Sequence, residues 1–368
     1  MPRRSNASVF LTQDKRFPLC RLWHNTKVTI DAYVLLKFAA LGVTTLLVGI
    51  ATAWGATALW YQAPGGRALK TLIVGVWLTL CAALLVSAWR DLALFSLTAF
   101  AVSYSLLLWW WHRIPASNDR IWADDVAQMS TGSVSGNRVT LRNLRNFDWR
   151  TRTDYTQRWE TRSYDLQELM SVDMILSYWR GPAIAHMLIS FGFESAGHVV
   201  FSVEIRRERN ENFSEIGGFF KQFELSIIAC DERDVVRVRT NVRQEDAYLY
   251  RMKMPRAAMR SLFLGYIEEA NKLIHTPRFY NTITVNCTTL VYHMMKRIVG
   301  YLPLDWRILF TGHLAAYVYR VGGLDTRYTL DELQRMGQIT ERAKRSDRSA
   351  SFSQDIRNGI PPLDAPRD

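Results

Sequence analysis

The chain has 368 residues, 48% of them hydrophobic and 22% charged, with a formal net charge of +12. That length suits a membrane section plus one globular domain of roughly 100 to 200 residues, and it excludes a third independent domain. The hydrophobic fraction averages two unlike parts, an apolar stretch that ends near residue 112 and an Arg-rich remainder.

Residues 1–31 form a basic segment, with Arg3, Arg4, Lys15, Arg16, Arg21 and Lys27 against Asp14 and Asp31. Three apolar runs follow at 32–54, with a weaker extension to Tyr61, then 69–88 and 92–111. Each approaches the ~20 residues that cross a hydrocarbon core of about 30 Å, and none contains an acidic residue. Lys37, near one end of the first run, can snorkel to the interface. Trp54, Trp60, Tyr61, Trp89 and Trp109 to Trp111 fall at the ends of the runs, where amphipathic rings favour the headgroup layer. The pattern predicts three transmembrane helices within 32–112.

The basic segment places the N-terminus in the cytoplasm by the positive-inside rule, because the connecting loops offer only Arg67 with Lys70 on one side and Arg90 on the other. Three crossings then put the rest of the chain in the periplasm, the expected setting being a bacterial inner membrane. The first run is too long and too far from Met1 for a cleaved signal peptide.

Residues 117–342 read as one periplasmic domain, and 343–368 as a polar Ser/Arg/Asp-rich tail. Strands are predicted near 138–147, 172–179, 184–193, 198–206, 224–229, 235–240 and 247–252, with Glu194 to Gly197 turning two of them into a hairpin. A short helix is expected near 213–221. An amphipathic helix follows Pro255 through Ala258, Leu262, Tyr266, Ala270 and Leu273, and another runs from Cys287 toward Gly300. The class is α+β, an antiparallel sheet flanked by helices.

Arginines 138, 142, 145, 150, 152, 158 and 162 form a solvated face or a contact with anionic headgroups. An exported domain is a poor partner for nucleic acid, and the sequence leaves the oligomeric state open. The Asp231 to Arg237 cluster reads as a brace for the sheet rather than a headgroup site. Cys230 and Cys287 are the only pair able to bridge in an oxidising compartment, and both are read as free thiols.

Chemistry concentrates at Phe279 to Thr289, a strand-like approach that ends in Asn286 and Cys287 at a helix start. Unpaired N–H groups and the positive helix end favour a thiolate there and can receive an oxyanion, with Asn286 and Thr288 as supporting residues. The alternative is a small buried hydrophobe. A thiolate enzyme needs a base, usually histidine. His293 lies about 240° around the helix from Cys287 and points away. His275 complements a helix end, and His313 has no evident partner. His186 interrupts an apolar strand and needs a partner, His198 borders a turn, and Glu204 is the natural group to orient an imidazole. A three-residue hairpin loop puts His186 and Glu204 on one face; a two- or four-residue loop puts them on opposite faces. No metal or cofactor is implied.

Ordered motifs support a resemblance: Ser117-Asn-Asp-Arg, Ser171 to Trp179, Ala185 to Phe193, Ser202-Val-Glu-Ile-Arg206, Asp231-Glu-Arg-Asp234, Phe279-Tyr-Asn, Asn286-Cys-Thr-Thr289 and Phe352 to Arg357. They resemble the Lnb N-terminal periplasmic domain family. The resemblance implies a circularly permuted papain-like, NlpC-type fold, in which the histidine strand precedes the nucleophile helix. The Asn-Cys pair also resembles that of lecithin retinol acyltransferase. Carried over, Cys287 is the nucleophile, His186 the base and Glu204 the third member. The implied activity is acyl transfer from a membrane phospholipid to the N-terminal amine of a lipoprotein. The alternatives are a thiol hydrolase, either a peptidase or amidase or a phospholipase, and a non-catalytic envelope scaffold.

Overall fold

The computed structural model describes residues 19–90 and 92–363. Arg3, Arg4, Lys15 and Arg16 of the basic segment, Asp91 and residues 364–368 lie outside the described residues. The chain divides into two units at Arg113 and Ile114.

The first unit is three helices, α1 (Leu19–Gln62), α2 (Arg67–Trp89) and α3 (Ala93–Arg113). Val34–Gln62 of α1, α2 and α3 are each long and apolar enough to cross a membrane. α1 is longer than the apolar run because no proline interrupts it, so part of the basic segment is helical. It ends before Pro64 and Gly65, whose φ of 89° a side chain would resist. Gly55 permits close helix packing: an added Cβ would lie 2.8 Å from Leu107 and 2.9 Å from Trp77. The Trp77 indole donates to the Thr52 carbonyl at 3.0 Å. Outward faces carry bare leucines, with Leu94 84% exposed, a surface that suits lipid rather than water.

The second unit is α+β. Its strands are β1 (Thr131–Ser135), β2 (Arg138–Arg145), β3 (Asp148–Trp149), β4 (Tyr155–Thr156), β5 (Trp159–Asp165), β6 (Leu169–Tyr178), β7 (Ala185–Phe193), β8 (Gly197–Arg206), β9 (Glu224–Cys230) and β10 (Asp246–Arg251). β3 and β4 form a two-stranded ribbon. The main sheet runs β1-β2-β9-β8-β7-β6-β10, with β5 also on β2. It is antiparallel except where Arg145 of β2 meets Cys230 of β9 in parallel.

Helices cover both faces of the sheet. On one, α5 (Arg256–His275), α6 (Cys287–Val299) and α7 (Leu314–Arg320) bury Met187, Ile189, Phe191 and Phe201. Phe201 stacks on Tyr266 of α5 with ring centroids 4.8 Å apart. On the other, α4 (Glu232–Arg237), α9 (Thr340–Arg345) and α10 (Phe352–Asp355) cover Ile175, Leu188, Val200 and Ile228. α8 (Leu330–Gly337) carries a capping box at Thr329 and Glu332.

Four expectations are corrected. The strand expected at 235–240 is α4 continued by a π-type turn, Val238–Val242. Asp231 caps α4 by accepting from the Arg233 N–H, and Arg237 and Arg239 are buried among partners, so the period-two pattern did not mark a strand. The helix expected near 213–221 is a single 3-10 turn at Gly217–Phe219, where adjacent glycines disfavour helix. The loop expected after 147 includes β4 and β5, whose Tyr164 is buried. The segment after 342 is not a free tail through residue 363, since Ala343, Phe352 and Ile356 are fully buried. The Asp231 to Arg237 segment braces the sheet: buried Asp234 accepts from Arg145 at 2.8 Å, from the Phe147 N–H at 2.9 Å and from the Trp149 indole at 2.7 Å.

Candidate functional site

The hairpin decides the parity left open above. β7 and β8 pair from Phe193 with Gly197 to Leu188 with Ser202, so the loop is three residues long. Gly197 takes the positive φ of 71° that closes the turn. His186 and Glu204 therefore share a face. Beyond Leu188 and Ser202 the two strands part, while β6 still pairs with β7 as far as Ala185. Thr311 pins that end by accepting from the Ala185 N–H at 2.8 Å and donating to its carbonyl at 2.6 Å.

The first turn of α6 meets the parted strands. Asn286 caps it, its Oδ1 accepting from the Thr288 and Thr289 N–H groups at 2.9 Å each, and Thr289 Oγ1 accepts in return from the Asn286 N–H. The Asn286 amide donates to the Thr282 carbonyl at 2.8 Å. These bonds engage the Thr288 N–H, so it is not an oxyanion donor, and leave the Asn286 amide one further N–H; they hold the helix start in shape. The donors at the sulfur are others. The Met187 N–H helps to hold the Cys287 thiol below its usual pKa. The Cys287 N–H, at the first helical position, has no partner among the described residues.

His186 and Cys287 both line the same cavity, and each shifts the other's proton affinity. His186 Nε2 lies 2.8 Å from Ser202 Oγ and 3.2 Å from Glu204 Oε1. Ser202 donates its one hydrogen to Glu204 at 2.5 Å, so its oxygen accepts from Nε2–H, and Nδ1 is left for the thiol. Arg239 Nη2 stands 3.4 Å from Glu204, while its Nη1 reaches Glu245 at 3.1 Å, which also accepts from Ser177 at 2.6 Å.

Burial pushes the Cys287 thiol up, but the His186 hydrogen bond and charge, the Met187 N–H and the Thr288 hydroxyl together bring it below its usual 9.0. Burial and Arg239 push His186 down; the Glu204 charge and the bonds to Cys287 and Glu204 prevail and raise it to about 8. Burial opposes the Glu204 charge, yet His186, Arg239 and Ser202 hold it well below the ordinary carboxylate range. The constellation favours a thiolate beside an imidazolium, oriented by a carboxylate. It opens on a cavity of ≈ 840 Å³ whose wall includes Trp179, Phe219, Tyr280 and Arg243.

The remaining candidates lie elsewhere. His198 sits at the far end of β8, beside Glu232 and Arg357, and burial lowers its pKa. His275 and His293 are exposed, and exposed His313 lies against Trp306 with ring centroids 5.2 Å apart. Cys230 is a buried free thiol pushed up by burial. No His, Cys, Asp or Glu group among the described residues is placed to hold a metal ion. Sequence reasoning missed Ser202, Arg239, Thr311 and the Met187 N–H. The alternation of Ser202 and Glu204 along β8 was the one available signal for the serine.

Comparison with curated proteins and with solved structures gave no match. Residues 155–312 match the Lnb N-terminal periplasmic domain family, a stretch that contains Cys287, His186 and Glu204. The match covers less than half of the chain and is a likeness to that family over this stretch.

Proposed function

We propose that this is a membrane-anchored, cysteine-dependent acyltransferase with an N-terminus in the cytoplasm and its second unit in the periplasm. One observation carries the reading: Cys287 opens a capped helix and shares a cavity wall with His186, which Glu204 backs at 3.2 Å. The histidine strand precedes the nucleophile helix in the chain, an order that supports a permuted papain-like arrangement.

In this reading the Cys287 thiolate attacks a phospholipid ester, and the Cys287 N–H faces the oxyanion that forms. Protonated His186 gives its proton to the departing lysophospholipid, leaving a thioester and a neutral imidazole. An acceptor amine, such as a lipoprotein N-terminus, then attacks the thioester. His186 takes the amine proton, and the thiolate leaves beside an imidazolium. The cycle closes on its starting charges.

The test is a Cys287→Ser protein given labelled phospholipid and a lipoprotein acceptor, with the terminal peptide read by mass spectrometry. The parent protein is expected to acylate the terminus and the variant to fall by at least about a hundredfold. Undiminished modification by the variant would sink the proposal. Release of free fatty acid by the parent, with no acylated terminus, would reassign it as a lipase.

A further inference from the structure

A second cavity, ≈ 470 Å³, lies behind the nucleophile helix, bounded by β6, β7, α5, α6, α7 and the chain between α6 and α7. Val291 and Met295 of α6 line it together with Met174, Met187, Ile308 and Val318. Five methionines contribute to its wall, and their flexible side chains adapt to an irregular apolar guest. Apart from Thr288 and exposed Lys253 the wall offers little to a polar ligand: the Tyr292 hydroxyl donates to the Leu302 carbonyl and that of Tyr317 to the Pro303 carbonyl, both at 2.9 Å. Thr288 also lines this cavity, and its Oγ1 lies 3.8 Å from Cys287 Sγ. Thr288 thus stands between the apolar space and the thiol, which itself lines the first cavity.

The chain at its mouth is unusual for a surface in water. Tyr301 is 79% exposed, Leu304 84% and Trp306 55%, with Val299 and Phe310 also bare. Contiguous apolar surface of this kind marks contact with a partner or a membrane, and tryptophan and tyrosine are the residues enriched where a bilayer meets water. Tyr301, Leu302 and Pro303 belong to both this segment and the cavity wall, so the two features are continuous.

We infer that the cavity holds one hydrocarbon chain of a membrane lipid, with its carboxyl end toward Cys287 and its tail between α6 and α7. The placement of the carboxyl end rests on the acyltransferase reading; the binding of a chain does not.

The full-length Cys287→Ala protein, reconstituted in phospholipid nanodiscs, is irradiated with a palmitic acid analogue that carries a diazirine on its tail. Label is expected on peptides containing Met187, Val291, Met295 or Ile308, displaced by palmitate but not by butyrate. Val291→Trp and Val318→Phe are expected to cut that label by about tenfold. A melt of each variant, and the butyrate-to-palmitate competition on the unsubstituted cavity, keep the result decisive if one substitution unfolds the domain. Label confined to residues 299–310 or to the membrane helices, or displaced equally by both acids, overturns the inference. Cavity labelling in a protein that never acylates Cys287 would retain the chain site and refute the acyl-transfer reading alone.

Discussion

Glu204 faces two cations, with His186 Nε2 at 3.2 Å and Arg239 Nη2 at 3.4 Å. The two act on His186 in opposite directions: the carboxylate charge raises its pKa and the guanidinium lowers it. Catalysis that needs imidazolium beside thiolate loses activity as pH rises through about 8, where His186 gives up its proton. Glu204→Gln removes the raising charge, so the alkaline limb of the pH–rate profile is expected to move to lower pH. That limb is read from turnover, whereas the rate of Cys287 alkylation by a neutral reagent reports the thiolate. An unmoved limb would show that Glu204 does not tune His186. His186→Ala is expected to slow the same alkylation at pH 7 by about tenfold or more, because the thiol loses the group that favours its anion.

At the level of elements, the loop after α6 fixes where β7 begins. Gly312 N–H donates to the Ala183 carbonyl at 3.0 Å, and its carbonyl accepts from the Tyr178 hydroxyl at 2.8 Å. A Cβ on Gly312 would collide with the Pro182 carbonyl. Gly312→Ala is therefore expected to cost about 2 kcal/mol in a denaturant titration and to slow Cys287 alkylation, since His186 lies one residue beyond the pinned Ala185. Wild-type values for both would disprove that coupling. The same elements show what the sequence discloses. Cys287 was legible because a capped helix start is a local signal, and His186 because a histidine within an apolar strand needs a partner. Their convergence was not, because Glu194 to Gly197 admits more than one turn and one residue more or less reverses the face. Arg239 was illegible for a different reason. Its run alternates like a strand, and only packing against buried Glu245 and half-buried Glu204 makes the local turn helical.

Over the whole second unit, the segment matched to the family, 155–312, does not contain its own core. β2 precedes it, and α9 and α10 follow it, yet all three bury apolar side chains against the sheet. Arg357 donates to buried Asp173 at 2.9 Å and to buried Glu232 at 2.6 Å. Burial would raise Glu232, but Arg357, His198 and Ser190 lower it to about 2. A depressed carboxylate stabilises the fold above its unfolded value of about 4.3 and stops doing so as pH falls through about 2. Arg357→Gln is expected to cost about 3 kcal/mol at neutral pH, with the gap to the parent narrowing between about pH 4 and 2, as followed by urea unfolding. A gap constant with pH would detach Glu232 from the effect. A chain stopped after Arg345 is expected to yield no protease-resistant domain although every candidate site residue is present; a resistant fragment would refute this.

The reach of Arg357 also sets a timetable for synthesis. It lies 184 positions after Asp173. At roughly 5–20 residues per second, Asp173 waits on the order of 10–40 s for its counter-ion, and Cys287 emerges in that interval. All ten strands are thus made before the thiol, but the Arg357 brace and two of the helices that cover the opposite face of the sheet come after it, so the thiol is exposed to chemistry before folding is complete.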